Sequence, residues 1–150
     1  MVKRPTAHTA AAGEYYVAYE LSKMGYSVGL TREGLKGIDL VVGGSHNSPA
    51  VLIQVKTSSS AWRPYKKDKK RNRWEWDVGS KSRSMKGKYL FYVFVDLRKD
   101  VDQPEVFIVP SDDVAEQMNC DMSRYIFRIP EHEGVEYKGK WNRIEEMIKG

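Results

Sequence analysis

The run from Tyr89 to Leu97, rich in aromatic and β-branched residues, constrains the fold more than any other segment of the chain. A strand that is apolar on both faces must be covered on both, which points to a layered α/β arrangement. Its continuous apolar part, Tyr89 to Val95, is strand-sized and far short of the roughly 20 residues of a membrane span. With 150 residues, 41% of them apolar, the chain can bury one sizeable core, so a single domain over residues 1–150 is expected.

Other elements assemble around that strand. Residues 1 to 8 read as a polar arm. Thr9 can cap a helix running to about Met24, with Gly25 ending it. Tyr26 to Thr31 reads as a short strand, followed by a turn containing Gly34 and Gly37. Ile38–Val42 and Val51–Lys56 read as a hairpin joined by the polar segment 43–50. Residues 58–88, with Pro64, Gly79 and Gly87, read as a long functional loop holding at most short elements. Glu105 to Val109 predicts another strand. Ser111, with Asp112 and Asp113 behind it, predicts a short helix ending near Cys120. Tyr125 to Ile129 predicts an edge strand, and Trp141 to Lys149 a closing helix with Trp141, Ile144 and Ile148 on one stripe.

Polar residues that interrupt apolar patterns mark the candidate site. On the first helix, Glu14 falls among Ala10, Ala11, Val17, Ala18 and Leu21 at helical spacing, so its carboxylate points inward whereas Glu20 does not. Burying an unpaired charge is costly, so Glu14 needs a cation, a metal or an opening to water; a structural salt bridge is the competing reading. In the hairpin, centring the turn at His46–Asn47 makes paired positions sum to about 93 or 94, which sets Asp39 opposite Gln54 or Val55. Gln54 and Lys56 then share one strand face, and Val51, Ile53 and Val55 take the other. A hard cation such as Mg²⁺ takes oxygen ligands, which Glu14, Asp39 and the Gln54 amide can supply. Lys56 adds a cation able to orient a water or neutralise charge on a phosphoryl group. A plain Lys56–Asp39 ion pair is the alternative.

Charge is uneven. The chain carries 25 basic and 20 acidic residues, net +5. Between Arg63 and Lys88 there are eleven basic and three acidic residues, which gives +8 there and leaves −3 elsewhere. Aromatic rings at Trp62, Tyr65, Trp74 and Trp76 interleave with these charges, a pattern suited to a phosphate backbone with stackable bases. Arg63, Lys66, Lys67, Lys69, Lys70, Arg71, Arg73, Trp74, Lys81 and Arg83 are therefore the expected nucleic-acid contacts. The competing reading is a solvated lysine-rich face whose aromatic residues anchor it to the core, as the period of two in Trp74–Glu75–Trp76 suggests. One cysteine, Cys120, excludes an internal disulfide, and His8, His46 and His132 lack the spacing of a zinc motif. The start, Met-Val-Lys-Arg-Pro, has no apolar segment behind it, so no secretory signal is expected and the protein is expected in the cytoplasm.

Glu14 on a helix, then Gly37-Ile38-Asp39-Leu40, then Ile53-Gln54-Val55-Lys56-Thr57, resembles the PD-(D/E)XK nuclease superfamily, in the small branch of archaeal Holliday-junction resolvases and Mrr-like restriction endonucleases. The resemblance covers residues 9 to 57 closely, with later strands at Tyr89–Leu97 and Glu105–Pro110. It implies a three-layer, restriction-endonuclease-like core: a mixed β-sheet flanked by helices, in the order helix, three antiparallel strands, helix, strand. It also implies that Asp39 and Gln54 are metal-site positions, Lys56 the catalytic lysine and Glu14 the helix glutamate. Two positions depart from the pattern. Gln54 stands where the motif has Asp or Glu, and a neutral amide binds a cation less strongly; Ile38 replaces the motif's proline. The helix expected between the third and fourth strands is not legible in residues 58–88.

These features together predict a Mg²⁺-dependent endodeoxyribonuclease, with Mn²⁺ as a substitute ion, in which Lys56 assists water activated by the metal; the resemblance implies products with 5′-phosphate and 3′-hydroxyl ends. DNA, branched or junction DNA included, is the expected partner, with RNA left open, no membrane, and a homodimer expected for cutting two strands. The rival is a non-catalytic nucleic-acid-binding module on a nuclease fold in a repair or defence complex, and a third reading is an interaction or immunity protein without nucleic-acid affinity.

Overall fold

The computed structural model describes residues 4–32, 37–98 and 102–150; residues 1–3 of the expected arm and Gly34 of the expected turn lie outside them. Helix α1 spans Thr6–Lys23 and starts earlier than expected, with Pro5 at its N-cap. Thr9 is therefore an internal, buried residue whose hydroxyl leans on the Pro5 carbonyl at 3.5 Å rather than a cap. Proline ahead of the first turn loses nothing, because the amides there have no helical acceptor. At the other end Gly25 takes φ +98°, which suits the residue that breaks the helix.

Five strands form the first sheet, in the order β1 (Ser27–Leu30), β2 (Leu40–Gly43), β3 (Val51–Ser58), β6 (Leu90–Asp96) and β7 (Glu105–Pro110). β1, β2 and β3 are antiparallel, β3 and β6 are parallel, and β6 and β7 are antiparallel, so the sheet is mixed. The β2–β3 register pairs Leu40 with Ile53 and Val42 with Val51, a sum of 93 as the hairpin pattern predicts. On one face Val51, Ile53, Val55, Phe91, Val93 and Val95 pack against Val17 and Leu21 of α1 and against Ile144 and Ile148 of α3 (Asn142–Lys149). Fully burying such side chains contributes about 1.5–3 kcal/mol each, so this face anchors both helices. β6 is buried along nearly its whole length, as its apolar run requires.

The opposite face carries the main departure from expectation. Residues 58–88 are not chiefly a loop: they contain β4 (Trp62–Arg63) and β5 (Arg73–Asp77), with 3₁₀ turns at Lys69–Arg71 and Ser80–Arg83. These strands join β9 (Arg124–Pro130) and β8 (Asn119–Asp121) in a second sheet ordered β4-β5-β9-β8. The connection from β3 to the parallel β6 is thus made by strands, where the family pattern implies a helix. Trp74, Trp76, Tyr92, Phe94, Phe107 and Phe127 fill the space between the sheets. β9 lies inside this sheet between β5 and β8, so the edge role expected of Tyr125–Ile129 falls to β8 instead.

Helix α2 (Ser111–Gln117) ends before Cys120, which belongs to β8. Ser111 does not cap it. Its hydroxyl donates to the Gly87 carbonyl at 3.0 Å and accepts from the Gly87 amide at 3.2 Å, tying α2 to the chain entering β6. No described helix is long and apolar enough to cross a membrane.

Candidate active site

Asp39 stands immediately before β2, and the backbone around it is held from two sides. Its amide donates to the Ile53 carbonyl at 2.8 Å, and its carbonyl accepts from the Thr31 amide at 3.0 Å. The Thr31 hydroxyl also donates to the Ile38 carbonyl at 2.6 Å. Asp39 Oδ2 accepts a 2.7 Å hydrogen bond from the Val55 amide, so the carboxylate closes the hairpin ladder in place of a backbone carbonyl. Extending the register by one pair sets Asp39 across from Gln54, one of the two pairings the sequence pattern allows.

Glu14 reaches this carboxylate from α1. The helix buries Thr9, Gly13, Val17 and Leu21, one residue per turn, and Glu14 lies half-buried beside that stripe. The expected stripe is shifted: Ala10 is exposed, and Glu20, expected to face water, is 16% exposed in its side chain and pairs with Lys23 at 3.3 Å. Burial first, then the charge of Asp39 and a hydrogen bond with it, push the Glu14 carboxyl up to about 7. Two acids placed this close resist carrying two negative charges.

Gln54 and Lys56 occupy alternate positions on β3, on the face opposite to Val51, Ile53 and Val55. Gln54 is buried, with Nε2 donating to its neighbour Val55's carbonyl at 3.4 Å and Oε1 buried without a hydrogen-bond partner. Lys56 is half-buried. Desolvation lowers its pKa, and the charges of Asp39 and Asp77 oppose that shift. One carboxylate, Asp39, therefore acts on both Glu14 and Lys56.

This donor set fits a hard divalent cation. Two carboxylates that repel each other and a buried amide oxygen lacking a donor are oxygen ligands of the kind Mg²⁺ takes alongside water. Among the described residues no three His, Cys, Asp or Glu side chains gather into a metal-binding cluster.

The expected nucleic-acid contacts divide. Lys66, Lys67, Lys69, Lys70, Arg71, Lys81 and Arg83 are exposed. Arg71 and Arg73 stack over Tyr65 at 4.5 and 5.0 Å, and Arg83 over Tyr125 at 4.9 Å. Trp74 is a correction: its side chain is buried between the sheets, and its indole N–H donates to Asp96 Oδ2 at 3.2 Å, so its ring is not a surface on which bases stack. Arg63 and Arg73 are partly committed to the protein. Both face Glu75, at 3.4 and 3.5 Å, and Arg128 joins them at 3.1 Å. Glu75 is buried, and despite the cost of burial the three guanidinium groups hold its carboxyl below the usual carboxylate range.

Sequence reasoning missed Arg124 and Arg128. They alternate with Ile126 on β9, and β9 pairs with β5 so that Arg128 lies across from Glu75. The signal was present as a charge of opposite sign in each of two strands, but it could be read only once the two strands were known to pair.

No protein-family model matches the sequence, and no curated protein matches it. Solved structures do. A bacterial homing endonuclease, I-Ssp6803I, is similar with a TM-score of 0.65 at 14% identity, covering 98% of this chain and 96% of that one. Hjc, a Holliday junction resolvase from the archaeal hyperthermophile Archaeoglobus fulgidus, is similar with a TM-score of 0.53 at 12% identity, covering 91% of this chain and 95% of that one. Both have the fold that Glu14, Asp39, Gln54 and Lys56 pointed to, and the chain has the restriction-endonuclease-like fold of the PD-(D/E)XK nucleases.

Proposed function

We propose that this chain is a metal-dependent endonuclease that hydrolyses phosphodiester bonds in DNA, branched or junction DNA included. The observation that carries the reading is that the charge of Asp39 acts on both the Glu14 carboxyl and the Lys56 amine, with Gln54, whose Oε1 is buried and unpartnered, across the strand pair from Asp39. Similarity in fold to a homing endonuclease and a Holliday junction resolvase supports it.

Glu14, Asp39 and Gln54 would hold Mg²⁺, or Mn²⁺ in its place. When bound, such an ion polarises a phosphoryl oxygen and eases deprotonation of water. The chain's own residues do the rest. Asp39 is fixed by the Val55 amide and offers its carboxylate without reorganisation. Lys56, with its lowered pKa, can neutralise charge that builds on the phosphoryl group or exchange a proton with the attacking water. Raised affinity of Glu14 for a proton means that a cation must compete with that proton near neutral pH. We place the protein in the cytoplasm and expect it to act on duplex DNA as a homodimer.

The test is incubation of the purified protein with branched, single-stranded and duplex DNA, with and without Mg²⁺ or Mn²⁺, beside Lys56→Ala and Asp39→Ala. Metal-dependent cutting that both substitutions abolish is the expected result. Gln54 favours a second reading, a binding module without turnover, because a neutral amide holds a cation less strongly. Binding without cutting under every metal and substrate would decide for that module.

A further inference from the structure

A cleft of about 460 Å³ opens beside Lys56, between the N-terminal part of α1, the end of β3 and strands β5 and β9. Arg4, Lys56, Arg63 and Arg124 line it, against two carboxylates, Glu75 and Asp77. Glu75 is more than neutralised, because Arg73 and Arg128 contact it along with Arg63. Asp77 is held by Arg124 at 2.9 Å, but both side chains are exposed, 70% and 57%, and such a pair yields readily to a competing anion. Hydroxyl-bearing residues complete the wall, among them Thr6, Ser58 and Ser59. Guanidinium groups, an ammonium and hydroxyl donors around an open cleft match the acceptor oxygens of a phosphoryl group.

We propose that this cleft binds a second phosphate of the nucleic-acid strand, next to the one at the candidate metal site, with Arg63 and Arg124 as its principal ligands. The inference rests on the nuclease reading for the identity of the strand. Lys56 lines this cleft and also feels Asp39, so it stands between the two phosphate positions. Gripping a neighbouring phosphate there fixes the strand's register against Asp39, a task the lysine run at 66–70, on the exposed turn, does not perform.

Binding of a short single-stranded oligonucleotide is measured in EDTA by fluorescence anisotropy across a salt series, with inorganic phosphate as competitor. R63Q/R124Q is expected to weaken binding about tenfold and to lower the slope of log K against log salt by about 0.7, one phosphate's worth on a single strand. Unchanged affinity and slope would overturn the proposal. R63Q leaves Glu75 short of a partner, so R124Q alone, on an exposed side chain, provides the variant that keeps its fold; it should still weaken binding measurably, and wild-type affinity in it would also overturn the proposal. Equal affinity for strands ending in 5′-hydroxyl and 5′-phosphate assigns the cleft to an internal phosphodiester, and preference for the phosphate assigns it to a strand end. Parallel cleavage assays separate the two readings. Wild-type cutting with unaltered binding in R63Q/R124Q removes the cleft and keeps the nuclease, whereas binding lost in R63Q/R124Q without any wild-type cutting removes the nuclease and keeps the cleft.

Discussion

Gly13 of α1 rests directly on Thr57 of β3: a Cβ built on Gly13 would lie 1.7 Å from Thr57 Oγ1 and 2.7 Å from its Cβ. No side chain fits in that space. The contact is what lets the helix approach the sheet closely enough for Glu14, the next residue, to meet Asp39.

Replacing Gly13 with Ala should therefore push α1 away from β3. Overpacking of this kind costs about 1–3 kcal/mol, more than the roughly 1 kcal/mol gained from alanine's helix propensity. The thermal unfolding midpoint is expected to fall, and Mg²⁺ or Mn²⁺ affinity measured by calorimetry should fall with it. A Gly13→Ala variant with wild-type midpoint and metal affinity would show that the close approach does not set the site.

Glu14 gives a pH signature. Its folded value of about 7 lies above the ordinary 4.5, so the folded state holds the proton more tightly than the unfolded chain does. The resulting stabilisation is fully present below about 4.5 and is lost as pH rises through about 7. A shift of this size on a fully buried group would be worth about 3 kcal/mol; solvent screening at this half-buried carboxyl reduces it to about 1 kcal/mol. Denaturant unfolding in EDTA should show the wild type losing that increment relative to Glu14→Gln between the two pH limits. Parallel curves for the two proteins would remove the Glu14–Asp39 coupling.

Legibility in the sequence followed the range of the interactions. Asp39, Gln54 and Lys56 stood out because a hairpin obeys a local register, and a two-residue period assigns faces without knowledge of the rest of the fold. The β6 run stood out because its apolar character is continuous. Strands β4 and β5 did not, since Arg63, Arg73 and Asp77 give them the polarity of a loop, and what makes them strands is the pairing of β5 with β9 some fifty residues later and of β4 with β5. The start of α1 was hidden for a different reason: Thr9 is a good capping residue, but with Pro5 as the N-cap the helix begins just over a turn earlier.

Trp74 and the lysines at 66–70 should separate stability from nucleic-acid binding. Trp74 packs at 4.8 Å from the Phe107 ring and at 4.7 Å from Trp62, inside the inter-sheet core. Trp74→Ala is expected to destabilise the protein by about 3–5 kcal/mol. Substituting Lys66, Lys67, Lys69 and Lys70 together by Gln is expected to leave stability within about 0.5 kcal/mol of wild type, while weakening DNA binding at low salt. Wild-type stability in the tryptophan variant would place its ring outside the core.

Glu75 supplies the last test, because it is a buried acid whose partners all come from other positions of the second sheet. Arg63 lies on β4, Arg73 on β5 itself and Arg128 on β9, so the carboxylate joins three strands through contacts of 3.1–3.5 Å. Removing it leaves three guanidinium groups facing one another. The partners keep some access to water, which lessens the penalty, and Glu75→Gln is expected to cost about 2 kcal/mol at neutral pH. The sign of the pH dependence is opposite to that of Glu14. A carboxyl held below its ordinary value stabilises the fold above the unfolded value of 4.5, and that contribution disappears as pH falls through the lower folded value. Wild type and Glu75→Gln should therefore differ most above about pH 5 and converge in acid. A constant gap over the whole range would mean that Glu75 acts through packing, and that its charge does not hold the second sheet together.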